Sequence, residues 1–124
     1  MTRSRTRQSA KAAGSRFERA IADALAEALQ DDRVDRMPQY GNRDRGDISG
    51  VRIHGQKVSI EVKDCARLNL PAWTDEAHIE AGNADALVGI VISKRHGCGD
   101  PLKSWVHMTV ADLVALITGQ KADQ

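Results

Sequence analysis

The chain has 124 residues, of which 41% are apolar and 28% charged, and its formal net charge at pH 7 is +1. This length suits one domain with a single core, and the composition is that of an ordinary globular protein. No apolar run approaches the ~18 residues that a membrane-spanning helix needs, and no apolar segment follows the basic N-terminus as in a secretory signal. We therefore expect no membrane partner and a cytoplasmic protein with reduced cysteines.

Charge is distributed unevenly along the chain. Residues 1–19 carry six basic side chains and one acidic side chain, a formal charge of +5, whereas residues 20–124 have a formal charge of −4. Residues 1–13 show no periodicity and predict a flexible basic arm ahead of one folded domain over 14–124. Such an arm is typical of nucleic-acid contact, and a solubilising tail is the alternative. Its basic residues, expected to contact DNA, are Arg3, Arg5, Arg7 and Lys11.

The first predicted helix begins with Ser15 as N-cap and Glu18 three residues later, the spacing of a capping box. It carries an apolar stripe at helical spacing and is expected to end near Gln30. Residues 31–46 are polar and rich in turn formers, so they predict a loop. That loop brings Arg43 and Arg45 to the following strand.

The remaining elements predict an α/β domain. Two alternating runs, 47–53 and 57–63, form a hairpin through a short glycine-containing turn. A helix over 71–82 follows, with Pro71 in its first turn, and the apolar run 86–92 predicts a strand buried on both faces. A last strand over 104–108 and a helix over 110–118 complete the order α-β-β-α-β-β-α. Trp105 is expected in the core, whereas Trp73 suits core packing, a subunit interface or a wedge against unstacked bases.

Asp47, Glu61 and Lys63 carry most of the functional information. Glu61 and Lys63 are two residues apart on one strand and share a face, and the hairpin allows Asp47 to approach them. Two carboxylates and an ammonium suit a divalent cation and a phosphodiester. The alternative is that these are exposed charges on a half-buried sheet, with an ion pair between Glu61 and Lys63.

In the catalytic interpretation, Asp47 and Glu61 bind Mg²⁺ or Mn²⁺, and the Val62 carbonyl is a further candidate ligand. Lys63 orients or deprotonates the attacking water and offsets charge on the phosphorane. Glu18 is a candidate third acid, either as a direct ligand or through metal-bound water.

The strings GSRFERAIADAL, GDI and SIEVKD resemble the PD-(D/E)XK nuclease superfamily, and in particular its archaeal-type and phage Holliday junction resolvases. The resemblance covers about residues 14–64. It implies a central mixed β-sheet flanked by helices, catalytic roles for Glu18, Asp47, Glu61 and Lys63, and a homodimer that cuts opposed strands of a four-way DNA junction. Gly46 departs from the motif, which has proline before its Asp.

The resemblance therefore implies a metal-dependent endonuclease of DNA recombination or repair, in a prokaryotic, archaeal or phage-infected cell. A restriction- or repair-type enzyme cutting linear duplex and a non-catalytic DNA-binding module are the alternatives. Further phosphate contacts are expected from Ser15 and Arg16 at the helix start and from Arg43 and Arg45 beside Asp47. Without a Walker loop or a GxGxxG motif, no nucleotide cofactor is expected.

Overall fold

A mixed β-sheet with helices against it organises the protein, and the computed structural model describes residues 6–38, 41 and 43–122. Within these residues there are three α-helices, a short 3₁₀ helix and six strands. The helices are α1 (Arg7–Leu29), α2 (Leu70–Ala84), α3 (Val110–Thr118) and the 3₁₀ turn Pro101–Lys103. The strands are β1 (Asp35–Arg36), β2 (Ile48–Ser49), β3 (Arg52–Ile53), β4 (Gln56–Lys63), β5 (Val88–Ser93) and β6 (Trp105–His107).

The strands follow the order β1-β2-β4-β5-β6, with β3 pairing to β4 as well. β4 and β5 are parallel, in a register that runs from Val58 opposite Val88 to Lys63 opposite Ser93. The other pairs are antiparallel. This topology confirms a small α/β domain with a mixed sheet and the predicted antiparallel approach of residues 47–53 to β4.

Helix α1 begins nine residues earlier than predicted, with its N-cap at position 6 rather than 15. The N-cap is Thr6, whose side chain accepts a hydrogen bond from the Ser9 amide. The predicted Ser15–Glu18 capping box is therefore wrong, as is the irregular arm for residues 7–13, which are rich in helix formers and continue the helix. Arg7 and Lys11 are exposed on this extension, whereas Arg3 and Arg5 lie outside the described residues.

The predicted strand over 47–53 is divided at Gly50, where φ is +89° and a Cβ would lie 2.3 Å from the Arg33 carbonyl oxygen. The close contact is with the segment leading into β1, a strand that the loop prediction for 31–46 missed.

Helix α2 starts at Leu70, with Asn69 as N-cap, and continues past Gly82 to Ala84. The predicted bounds of helix α3, 110–118, are confirmed, and Gly119 is its C-cap.

The two predictions for tryptophan have different outcomes. Trp73 is buried and packs beside the His107 ring, in agreement with core packing. Trp105 is 49% exposed, so its predicted core position is wrong. It lies on β6 at the end of the sheet order, where the Arg95 guanidinium covers its ring at 4.7 Å.

Alternation along β4 separates the core from the site. Val58, Ile60 and Val62 join a cluster that includes residues of α1 and of β5. The intervening Glu61 and Lys63 therefore point to the opposite face, which α2 covers. No helix in the described part of the chain is long and apolar enough to cross a membrane.

Helix α2 approaches the sheet closely at Gly89. A Cβ there would lie 2.2 Å from the Ala77 carbonyl oxygen, closer than real contacts allow. We expect Gly89→Ala to lower the free energy of unfolding by about 2 kcal/mol or more, because the helix backbone must move away from the sheet. Chemical denaturation with urea measures this change.

Gly82→Ala provides the matched control, since a Cβ at position 82 of the same helix meets nothing within 4 Å. It should stabilise the protein by about 0.5–1 kcal/mol through helix propensity. Equal effects of the two substitutions would contradict the close approach of α2.

Candidate functional site

Loop 43–46 and the start of β2 bring Asp47 next to β4. The Asp47 amide donates to the Ile60 carbonyl at 2.8 Å, and the Asp47 carbonyl accepts from the Met37 amide at 2.7 Å. Its carboxylate Oδ2 accepts a hydrogen bond from the Val62 amide at 2.8 Å. The predicted convergence of Asp47 with the Glu61 strand is thus present in the structure.

Gly46 makes this position of Asp47 possible. Its φ is +100°, and a Cβ would lie 2.9 Å from Ser59 Oγ and 3.0 Å from the Ile60 carbonyl oxygen. Proline has φ near −65° and therefore cannot take this conformation. The departure from the proline-containing motif follows from this local geometry.

Lys63 lies between two acids. Its Nζ is 3.2 Å from Glu61 Oε1 and 2.8 Å from Glu76 Oε2. Burial works against the charge of Lys63, but the hydrogen bond to Glu76 and the charge of Glu61 outweigh it and raise the pKa of Lys63. Lys63 is therefore an ammonium in this arrangement, suited to orienting a ligand and offsetting negative charge.

Two further acids of helix α2 join the site, and the sequence interpretation had assigned neither. Glu76 and Glu80 are four residues apart and present their carboxylates to Glu61. One oxygen from each of four acids lies within 4.8 Å of the others, and these acids are Asp44, Glu61, Glu76 and Glu80. Among the described residues, Asp47 is not a member of this group, which we call the acid cluster.

Asp44 is held in the acid cluster by its own loop and by α2. Its Oδ1 accepts from the Gly46 amide at 3.0 Å, and its carbonyl accepts from the Asn83 side-chain amide at 2.7 Å. Asn83 lies three residues after Glu80, on the same side of the helix. Asn83 therefore ties the loop to the part of α2 that carries Glu80.

The acid cluster is partly buried and short of donors. Glu61 is 5% exposed and Glu80 only 1%. Three of their oxygens, Glu61 Oε2 and both oxygens of Glu80, have no hydrogen-bond donor. The alternative of exposed sheet charges is therefore wrong for Glu61, although its ion pair with Lys63 is present.

Burial is the largest cause of the raised pKa values of the acids in the site. It raises the pKa of Asp47, and the negative charge of Glu61 adds to that effect. It also raises the pKa of Glu80, which contacts the carboxyl groups of Glu61 and Asp44. Two carboxylates in contact share no hydrogen bond unless a proton or a cation lies between them.

Glu18 lies outside the acid cluster. It is in the middle of α1, and its Oε2 accepts from the Arg36 guanidinium of β1 at 2.9 Å. Its charge is near enough to raise the pKa of Asp47. The structure thus brings Asp47, Glu61 and Lys63 together, with Glu18 at the border of the site.

The predicted DNA contacts lie in two places. Arg16 borders a cavity of about 280 Å³ near the 3₁₀ turn, and Ser15 lies beside it inside α1 rather than at a helix end. Arg43 and Arg45 are exposed on the loop before Asp47, and the Arg45 carbonyl accepts from Ser59 Oγ. Arg43 and Arg45 are therefore the predicted DNA contacts that lie next to the acids of the site.

The α2 acids had a signal in the sequence. Glu76, Glu80 and Asn83 recur at helical spacing on a helix whose buried positions are mostly alanine. Such a polar stripe facing a sheet requires partners.

Comparisons of the chain with protein-family models, with curated proteins and with solved structures found no match.

We expect Lys63→Met to lower the free energy of unfolding by about 3 kcal/mol, because it leaves Glu61 and Glu76 without their cation. Lys57→Met, on the same strand and face but exposed, should change it by less than about 1 kcal/mol. Urea denaturation in the presence of a chelator measures both. A loss no larger for position 63 than for position 57 would contradict the role of Lys63 in holding the acids.

Proposed function

We propose that the protein is a metal-dependent DNA endonuclease that hydrolyses phosphodiester bonds. The observation that carries this proposal is the convergence of Asp47, Glu61 and the Lys63 ammonium beside buried carboxylate oxygens that lack donors. The donor set fits the Mg²⁺ or Mn²⁺ that such chemistry uses, since hard cations take carboxylate oxygens.

In this proposal Asp47 and Glu61 hold the metal, with the Val62 carbonyl as a further ligand. When bound, the metal supplies charge stabilisation for the scissile phosphate and lowers the pKa of a ligated water. Lys63 donates from its ammonium to the attacking water or to a phosphate oxygen, because both of its neighbouring carboxylates keep it charged. Glu18, fixed by Arg36, orients water at the border of the site.

The fold supports membership of the PD-(D/E)XK nuclease superfamily. An α/β domain with a mixed sheet carries its E-x-K at the end of β4, and its motif Asp precedes the neighbouring strand. At Gly46 the backbone departs from that of a motif with proline, since its φ of +100° is closed to proline, so the proposal relies here on Asp47 itself.

We propose branched DNA, in the form of a four-way junction, as the preferred substrate. Arg43 and Arg45 would hold phosphates next to Asp47, and Arg7 and Lys11 would extend the basic surface along α1. Ser15, Arg16, Arg3 and Arg5 remain proposed contacts of the same kind. Duplex cleavage and binding without cleavage are the outcomes that the following experiment separates.

With Mg²⁺, the purified protein should cut a synthetic four-way junction symmetrically and leave linear duplex of the same sequence largely intact. Asp47→Asn and Lys63→Met should each slow cleavage by about 100-fold or more, because each removes a group acting at the phosphate. Junction binding should remain, since phosphate contacts supply most of the affinity. Gel electrophoresis of end-labelled strands measures cleavage and binding.

Asp85→Asn is the control for this assay, since Asp85 caps the far end of α2 and pairs with Lys121. It should cut like the wild type. Equal cutting of duplex and junction would retain a nuclease but reject the resolvase. Junction binding without cleavage in either metal would leave only a DNA-binding module.

The homodimer is also a proposal, and the outer face of α3 supports it. Four apolar side chains at helical spacing are 47–77% exposed there, and they are Val110, Leu113, Val114 and Ile117. A contiguous apolar face of this kind is typical of protein–protein contact. A second copy would bury it and place two sites in one particle, as symmetric junction cutting requires.

Ile117→Glu should dissociate the dimer, because it introduces a charge into the apolar face that the two copies share. Leu68→Glu, at an exposed leucine away from α3, should leave the oligomeric state unchanged. Sedimentation equilibrium over a range of concentrations provides the measurement. A wild-type protein that is monomeric throughout would reject the homodimer.

A further inference from the structure

The acid cluster contains buried acceptors that nothing in the fold satisfies. Glu61 Oε2 and both oxygens of Glu80 have no donor, and these side chains are 5% and 1% exposed. Both carboxylates point toward Asp44 and Glu76, within 4.8 Å of their oxygens. Leaving such groups unpaired is costly, so positive charge between them is strongly favoured.

Lys63 cannot supply that charge to Glu80. Its Nζ already contacts Glu61 Oε1 and Glu76 Oε2, and it is a partner of neither Glu80 oxygen. The Gly46 amide satisfies only Asp44 Oδ1. A shared proton or a bound cation therefore remains for Glu61 Oε2 and Glu80.

We propose that Asp44, Glu61 and Glu80 bind a divalent, oxygen-seeking cation of the Mg²⁺ and Mn²⁺ class. Carboxylate oxygens are the ligands that such ions take. Asp44 is exposed, so it gives the ion a route from solvent, and the Asn83 hydrogen bond holds its loop in place for binding.

Asp47 is not a member of the acid cluster among the described residues, and its Oδ2 is engaged by the Val62 amide. Glu61 belongs to both places, with one oxygen toward Lys63 and the other without a donor. A role for this second position in cleavage rests on the proposed nuclease function. The binding of the cation does not.

Calorimetric titration of the full chain with Mn²⁺ alone tests the site. Glu80→Gln keeps the shape of the side chain but removes its charge, and Asp44→Asn does the same on the exposed loop. Each should weaken Mn²⁺ binding at this position by about tenfold or more. Asp75→Asn, at an exposed acid on α2, should bind Mn²⁺ like the wild type.

A second readout comes from thermal unfolding. Mn²⁺ should raise the midpoint of the wild type and of Asp75→Asn, and this rise should shrink in Glu80→Gln and Asp44→Asn. If Glu80→Gln does not fold, Asp44→Asn decides the matter, because its side chain lies at the surface.

Unchanged Mn²⁺ affinity in both Asp44→Asn and a folded Glu80→Gln would overturn the proposal. A wild-type protein that binds no Mn²⁺ would also overturn it, and a shared proton would then be assigned to the acid cluster. Failure of the nuclease proposal looks different. Mn²⁺ binding that depends on Glu80, in a protein that cuts no DNA, would retain this site and reject cleavage.

Discussion

The close packing of α2 on the sheet is the constraint on which the site depends. Gly89 lets the Ala77 carbonyl approach β5 more closely than a side chain would allow. At this distance Glu80 cannot reach solvent and has to share space with Glu61. A more distant helix would leave two hydrated surface acids. The packing that builds the core therefore also brings the Glu61 and Glu80 carboxylates together, where their negative charges repel each other.

Lys63 and the Val62 amide offset part of this repulsion among the carboxylates. The ammonium neutralises one side of Glu61, and the amide holds Asp47 on a neighbouring part of the same strand. The remaining oxygens keep a deficit of positive charge. A buried region with such a deficit is organised for a ligand before one arrives, which reduces the reorganisation that binding requires.

Local patterns made much of the fold predictable. The apolar run of β5, the capped α3 and the alternation of β4 each follow from residues close in sequence. The start of α1 was missed because the Ser15–Glu18 spacing imitates a cap inside a helix, while the real cap is a single threonine at position 6. The extension of α2 past Gly82 reflects packing around it, which outweighs the cost of one glycine.

The site was predictable where its members lie on one strand or, as Asp47 does, on the segment that pairs with it. Glu61 and Lys63 lie on one strand, and strand alternation places them on one face. Glu80 reaches Glu61 through the packing of two distant elements, and no spacing along the chain encodes that distance. Asp44 depends in addition on a loop held by Asn83. Contacts of this kind follow from the tertiary fold rather than from periodicity.

The left-handed backbone at Gly46 also restricts how this chain can change over evolutionary time. Every single-base change of a glycine codon that encodes a different amino acid introduces a Cβ. At this position that atom would meet Ser59 and the Ile60 backbone. Any such substitution at residue 46 is therefore strained, whichever amino acid it introduces. The most constrained residue of the site is one that contributes no functional group.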